Sequence, residues 1–147
     1  MHYKPYFLSI VFLLITTISY AQQMEDDNRS NSEKANIEKT IELYFEGWLT
    51  GDTTKIGKAM HATCKLKNIK EGRVATYDRT TYLGFFKPRP RLENAGGRIL
   101  DIDVTGPVAS AKVELETTKR LFTDYFNLMK VEDWWFIVDK VSTNIQK

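Results

Sequence analysis

The chain has 147 residues, 42% of them hydrophobic and 12% aromatic, with 21 Lys and Arg against 19 Asp and Glu and a formal net charge of +2. So even a balance excludes a protein held to nucleic acid or an anionic membrane by net charge. With Cys64 as the single cysteine, it also excludes an internal disulfide framework, so one domain stabilised by packing alone is expected.

Residues 1–21 read as a secretory signal peptide. Lys4 supplies the basic start, Tyr6 to Ile18 an apolar stretch, and Ser19-Tyr20-Ala21 a small-x-small cleavage site. The apolar run falls short of the roughly 20 residues that a transmembrane helix needs. No Cys follows the cleavage site to carry a lipid. The expected product is secreted or periplasmic and has no stable membrane insertion. It keeps 147 − 21 = 126 residues; because Lys4 is the one charged side chain removed, 20 basic and 19 acidic residues remain, about +1. Residues 22–31 (QQMEDDNRSN) are polar and aperiodic, and are expected to be a flexible spacer before a folded domain at 32–147.

Ser30 and Glu33 fit a capping box, and Ile37, Ile41, Tyr44, Phe45, Trp48 and Leu49 then recur at helical spacing up to Gly51. Asp52 can cap a second, short helix with Ile56, Ala59 and Met60 on one face. Thr63 to Ile69 and Arg73 to Tyr77 read as a hairpin around Glu71-Gly72. Asp78 can cap a third helix carrying Tyr82, Leu83, Phe85 and Phe86, which Pro88 and Pro90 must end. The Lys87 to Arg91 loop (KPRPR) is expected to be solvated, an anion site being the alternative.

Beyond Gly96-Gly97 the pattern alternates. Leu100, Ile102 and Val104 form one set, and Ala109, Ala111, Val113 and Leu115 the next. Leu121 to Val131 and Trp134 to Thr143 follow, separated by a tight turn at Glu132-Asp133. The whole is an α+β order, helices on one face of an antiparallel sheet.

Within this order, three runs resemble the putative lumazine-binding branch of the nuclear transport factor 2-like superfamily: Ser110 to Leu115 (SAKVEL), Phe122 to Tyr125 (FTDY) and Trp135 to Val141 (WFIVDKV). The segment Gly47 to Asp52 (GWLTGD) and the step Met60-His61-Ala62 are similar as well. The resemblance implies a cone-shaped fold with N-terminal helices packed on a curved antiparallel sheet, and a cavity between the first helix and that sheet. Tyr44 and Trp48, four residues apart on helix one, are then expected in the pocket, with core packing as the alternative. Phe122, Asp124 and Phe126, which share one face of their strand, are expected there too, as are Trp135 and Asp139 of the last strand, an ion pair at the sheet's end being the alternative for Asp139. Trp135 and Asp139 share one face of the last strand, opposite Phe136, Val138 and Lys140. Both faces of that strand are largely apolar, so it is expected to be covered on both sides, the second by another subunit.

Asp124 is the leading catalytic candidate, a carboxylate among apolar neighbours; pairing with Lys112 on the next strand would make it structural. His61 is the second candidate, the alternative being a hydrogen-bonding role at the end of helix two. Cys64 is expected to be a half-buried structural thiol, a reactive thiol being the alternative. No metal site and no cofactor is expected. Ketosteroid isomerase, of the same fold, pairs an aspartate base with a tyrosine-containing oxyanion hole. Here the strand after helix two, Thr63 to Asn68, carries no carboxylate for that role. The expected function is the binding of a small, flat, partly apolar molecule by a homodimer that takes no nucleic acid. The alternatives are a proton-transfer enzyme (isomerase, dehydratase or cyclase) working through Asp124, or a structural homodimer without ligand.

Overall fold

The structure, a computed structural model, describes the backbone of residues 6–147 and the side chains of residues 24, 25 and 28–147. The start of the expected signal, with Lys4, lies outside the described residues. Two compact units are present, residues 1–33 and Lys34–Lys147. Helix α1 spans Tyr6–Thr50. It passes without a break through 22–31, where the sequence suggests a spacer and a new cap at Ser30. That stretch contains neither Pro nor Gly, so extending an existing helix by one hydrogen bond per residue is easier than stopping and nucleating another. No helix among the described residues is long and apolar enough to cross a membrane.

In the second unit α1 ends where Gly51 takes φ 66°. Asp52 then caps α2 (Thr53–Ala59), its Oδ1 accepting from the Thr54 and Lys55 amides. Strand β1 (Met60–Lys70) begins three residues earlier than its β-branched run suggests and takes Met60 and His61 out of the expected helix. Glu71 and Gly72 both have positive φ, the geometry of a two-residue hairpin turn, and return the chain along β2 (Arg73–Asp78). Asp78 caps α3 (Arg79–Leu83), which stops before Phe85 and Phe86. Strands β3 (Gly96–Thr105), β4 (Val108–Glu116), β5 (Arg120–Val131) and β6 (Trp134–Gln146) complete one curved six-stranded sheet in the order β2-β1-β6-β5-β4-β3. Every pairing is antiparallel except that of β1 with β6.

The expected inward faces of β4 and β5 are the observed ones: Ala109, Ala111, Val113 and Leu115 are buried, as are Asp124, Phe126 and Leu128. Two bulges break the alternation elsewhere. One, between Ile99 and Asp101, turns Leu100 out and lets Ile99 pack on the core instead. The other lies at Val138, where Asn127 pairs with Asp139 but Leu128 pairs with Ile137. Ile137 and Lys140, three residues apart, therefore both face inward, and Asp139 faces outward.

Helix α1 covers the inner face. Thr40 Oγ1 donates to the Trp135 carbonyl at 2.9 Å, and Tyr44 meets Phe126 edge-on with ring centroids 5.2 Å apart. Phe45 lies against Gly97, where a Cβ would fall 2.3 Å from the ring. On the outer face of β5 and β6, Tyr125, Met129, Trp134, Val141 and Ile145 are all exposed.

Candidate functional site

A cavity of about 310 Å³ opens beside the C-terminal end of α1, bounded by β1, β2, β5, β6 and α3. Its size is that of a small-molecule pocket. Trp48, Tyr77, Phe85 and Phe122 form an aromatic wall, held by edge contacts of 5.3 Å between Trp48 and Phe122 and between Tyr77 and Phe85. The Trp48 ring is fixed from behind by Arg89, which lies 5.6 Å from the ring centre and donates from Nη2 to the Trp48 carbonyl at 2.6 Å.

The Lys87 to Arg91 loop is thus more than a solvated connection. The Arg89 amide donates to the Thr50 carbonyl at 2.9 Å, and Arg91 pairs with Glu46. The loop passes so close to Gly51 that a Cβ there would sit 2.0 Å from the Lys87 carbonyl oxygen.

The floor holds a buried ion pair. Lys140 Nζ contacts Asp124 Oδ2, both side chains being almost wholly excluded from water, and Ser142 Oγ donates to Asp124 Oδ1 at 2.6 Å. Asp124 therefore pairs with Lys140 and not with Lys112. On β4 Lys112 stands opposite Tyr125 on the outer face, its Nζ 5.6 Å from that ring. Lys140 Nζ also lies 5.5 Å from the Tyr44 ring and 5.4 Å from the Phe126 ring. Burial depresses the pKa of Lys140, against the opposing pull of the Asp124 charge. Also in the wall, Asn68 Oδ1 is buried with no hydrogen-bond partner among the described residues.

Of the expected pocket residues, Trp48, Phe122 and Asp124 line the cavity. Tyr44, Phe126 and Trp135 face the right way but are buried in the core beneath it. Tyr44 reaches the wall only through Tyr82: their hydroxyls share a hydrogen bond of 2.5 Å, and burial raises both phenol pKa values. Asp139 is no pocket residue. The Val138 bulge sends it to the outer face, where it pairs with Lys67.

His61 stands in β1 and not at a helix end. Its ring lies edge-on to Phe136 at 5.7 Å, its Nδ1 bonds the Thr63 hydroxyl at 2.8 Å, and it does not join Asp124. Cys64 is fully buried in the core, more deeply than half, and its thiol is pushed up to about 12 by burial, so it carries no reactive thiolate near neutral pH. Sequence reasoning missed Tyr82, Ser142 and Asn68 and set Lys140 on the wrong face. A lone lysine within the apolar run Trp134 to Val141 was the available signal.

Residues 32–142 match the family model described as putative lumazine-binding. Among solved structures the chain is similar to an NTF2-like protein of unknown function from Shewanella baltica, with 24% identity, coverage of 79% of this chain and 96% of that one, and a TM-score of 0.72. An NTF2-like protein of unknown function from Methylobacillus flagellatus is similar at 26% identity, 76% and 90% coverage and a TM-score of 0.68. A ketosteroid isomerase-like protein from Erwinia carotovora atroseptica shares the fold at 15% identity, 80% and 99% coverage and a TM-score of 0.63. None of the curated proteins matches the chain.

Proposed function

The chain belongs to the putative lumazine-binding family of the nuclear transport factor 2-like superfamily, and on that premise we propose that it is an exported small-molecule-binding domain whose cavity takes a flat, neutral heterocycle of the lumazine type. The observation that carries this reading is the unpartnered Asn68 Oδ1 in the cavity wall. A buried acceptor left unpaired costs about 1–3 kcal/mol, and a ligand N–H removes that cost. The floor supports a neutral ligand, because Asp124 and Lys140 already balance each other. The aromatic wall supports a flat one.

The proton-transfer alternative is less well supported, because His61, the expected second acid-base group, lies apart from Asp124 and bonds Thr63 instead. Pairing of two copies through the exposed Tyr125, Met129, Trp134 and Val141 face belongs to the same proposal.

A thermal-shift series with a lumazine, a pterin and a flavin, run beside native mass spectrometry, tests it. At a ligand concentration 100-fold above Kd, binding adds about 2.7 kcal/mol to stability. The gain is expected to disappear in Asn68→Leu and Trp48→Ala. Absence of any shift, with an unliganded native mass, would overturn the reading.

A further inference from the structure

We propose that Lys140 is a carbonyl-reactive amine, which forms an imine with a small aldehyde or ketone whose flat body lies against the aromatic wall of the cavity. The inference rests on the reading of this cavity as a ligand site and goes beyond reversible binding. Lys140 is the buried lysine among the described residues, and it lines the cavity floor. The groups around its amine come from three elements, Tyr44 on α1, Cys64 on β1, and Asp124 and Phe126 on β5, with Tyr82 on α3 hydrogen-bonded to Tyr44. The phenols and the thiol there hold their protons, because burial raises all three. Asp124 is the group placed to exchange a proton with the amine.

The chemistry needs no outside reagent. In the resting pair the proton passes from Nζ to Asp124 Oδ2 along their existing contact, leaving a neutral amine beside a neutral acid. Burial of both side chains favours that exchange, because two buried charges vanish together. The amine lone pair then bonds to the carbonyl carbon, and the carbonyl π pair moves to oxygen, which takes the proton from Asp124. The nitrogen returns one of its own protons to Asp124. Asp124 gives that proton to the hydroxyl, which leaves as water while the nitrogen lone pair forms the C=N bond. One carbonyl compound and one ammonium give one protonated imine and one water. The product cation faces the same carboxylate as the lysine did, so the floor stays charge-balanced. Ser142, holding Oδ1, keeps Oδ2 aimed at the nitrogen.

The test is reductive trapping. The protein is treated at neutral pH with 2-naphthaldehyde and sodium cyanoborohydride, and labelled lysines are identified by peptide mass mapping. Lys140 is expected to be labelled at least tenfold faster than the exposed Lys65 and Lys70, and 2-naphthylmethanol, which cannot form an imine, should compete. Asp124→Asn is expected to slow Lys140 at least tenfold and leave Lys65 and Lys70 unchanged. Where that variant does not fold, Ser142→Ala replaces it and should slow Lys140 severalfold. Labelling of Lys140 no faster than that of Lys65 in the unaltered protein overturns the proposal. If 2-naphthylmethanol raises the melting temperature while Lys140 stays unlabelled, the amine proposal fails and the binding reading stands. If neither occurs, both fail.

Discussion

Lys140→Met removes the cation from the cavity floor and leaves Asp124 buried, its carboxylate retaining the Ser142 hydroxyl. The Lys140 and Asp124 side chains are only 4% and 3% exposed, so the stranded charge cannot be rescued by water. Breaking one side of such a pair costs about 3–5 kcal/mol, a large part of the roughly 5–15 kcal/mol that holds a domain together. With a urea m-value of about 1.5 kcal/mol/M, the unfolding midpoint should fall by about 2–3 M. Asp124→Leu alone strands the ammonium and should cost a similar amount. The double variant Asp124→Leu with Lys140→Met puts apolar groups in both places and is expected within about 1–2 kcal/mol of the original protein. Urea denaturation of the four proteins completes the cycle. Two single variants that each cost under about 1 kcal/mol and simply add would refute the reasoning, because that is how a solvated surface pair behaves.

Tyr44 and Tyr82 keep their protons in the folded state above the ordinary phenol pKa of about 10, so their contribution is fully present below pH 10 and is lost as pH rises beyond it. Each should steepen the alkaline loss of stability by about 1.4 kcal/mol per pH unit; comparison with Tyr44→Phe, which cancels the effects of Cys64 and Lys140, should show one proton less in the slope of chemical denaturation against pH. Cys64 should resist a thiol reagent at pH 8 in the folded protein and react fully in denaturant; fast reaction without denaturant would contradict its burial. Gly51→Ala should cost several times more than Gly72→Ala in thermal unfolding. Both residues have positive φ, but the first also drives a Cβ into the Lys87 carbonyl and the second meets open space.

The sequence made the order of elements and the inward faces of β4 and β5 legible, because capping aspartates and strict alternation are local signals. Asp124 could be picked out for that reason: its neighbours at two-residue spacing are Phe122 and Phe126. Its partner could not. The alternation along β6 is interrupted at Val138, where the pairing with β5 slips by one residue, and an apolar run carries no local mark of which residue is the extra one. The Lys112 alternative fails on register, since Lys112 stands opposite Tyr125 while Val113 stands opposite Asp124. Tyr44, Phe126 and Trp135 were set on the right face but at the wrong depth, because distance along a strand from the cavity mouth follows from long-range register. The same limit hid Asn68, Tyr82 and Ser142, which meet only once β1 lies parallel to β6 and α3 folds back on them.

The bulge at Val138 also makes the chemistry of the floor depend on strand register and not only on residue identity. Flattening that bulge with every residue kept, so that Asn127 pairs with Val138, would restore strict alternation after Ile137 and bring Asp139 inward in place of Lys140. The floor would then present two carboxylates to each other, and one of them would have to hold a proton. The difference between an ion pair suited to neutral ligands and a diacid of the kind that shuttles protons would thus be one step of strand register.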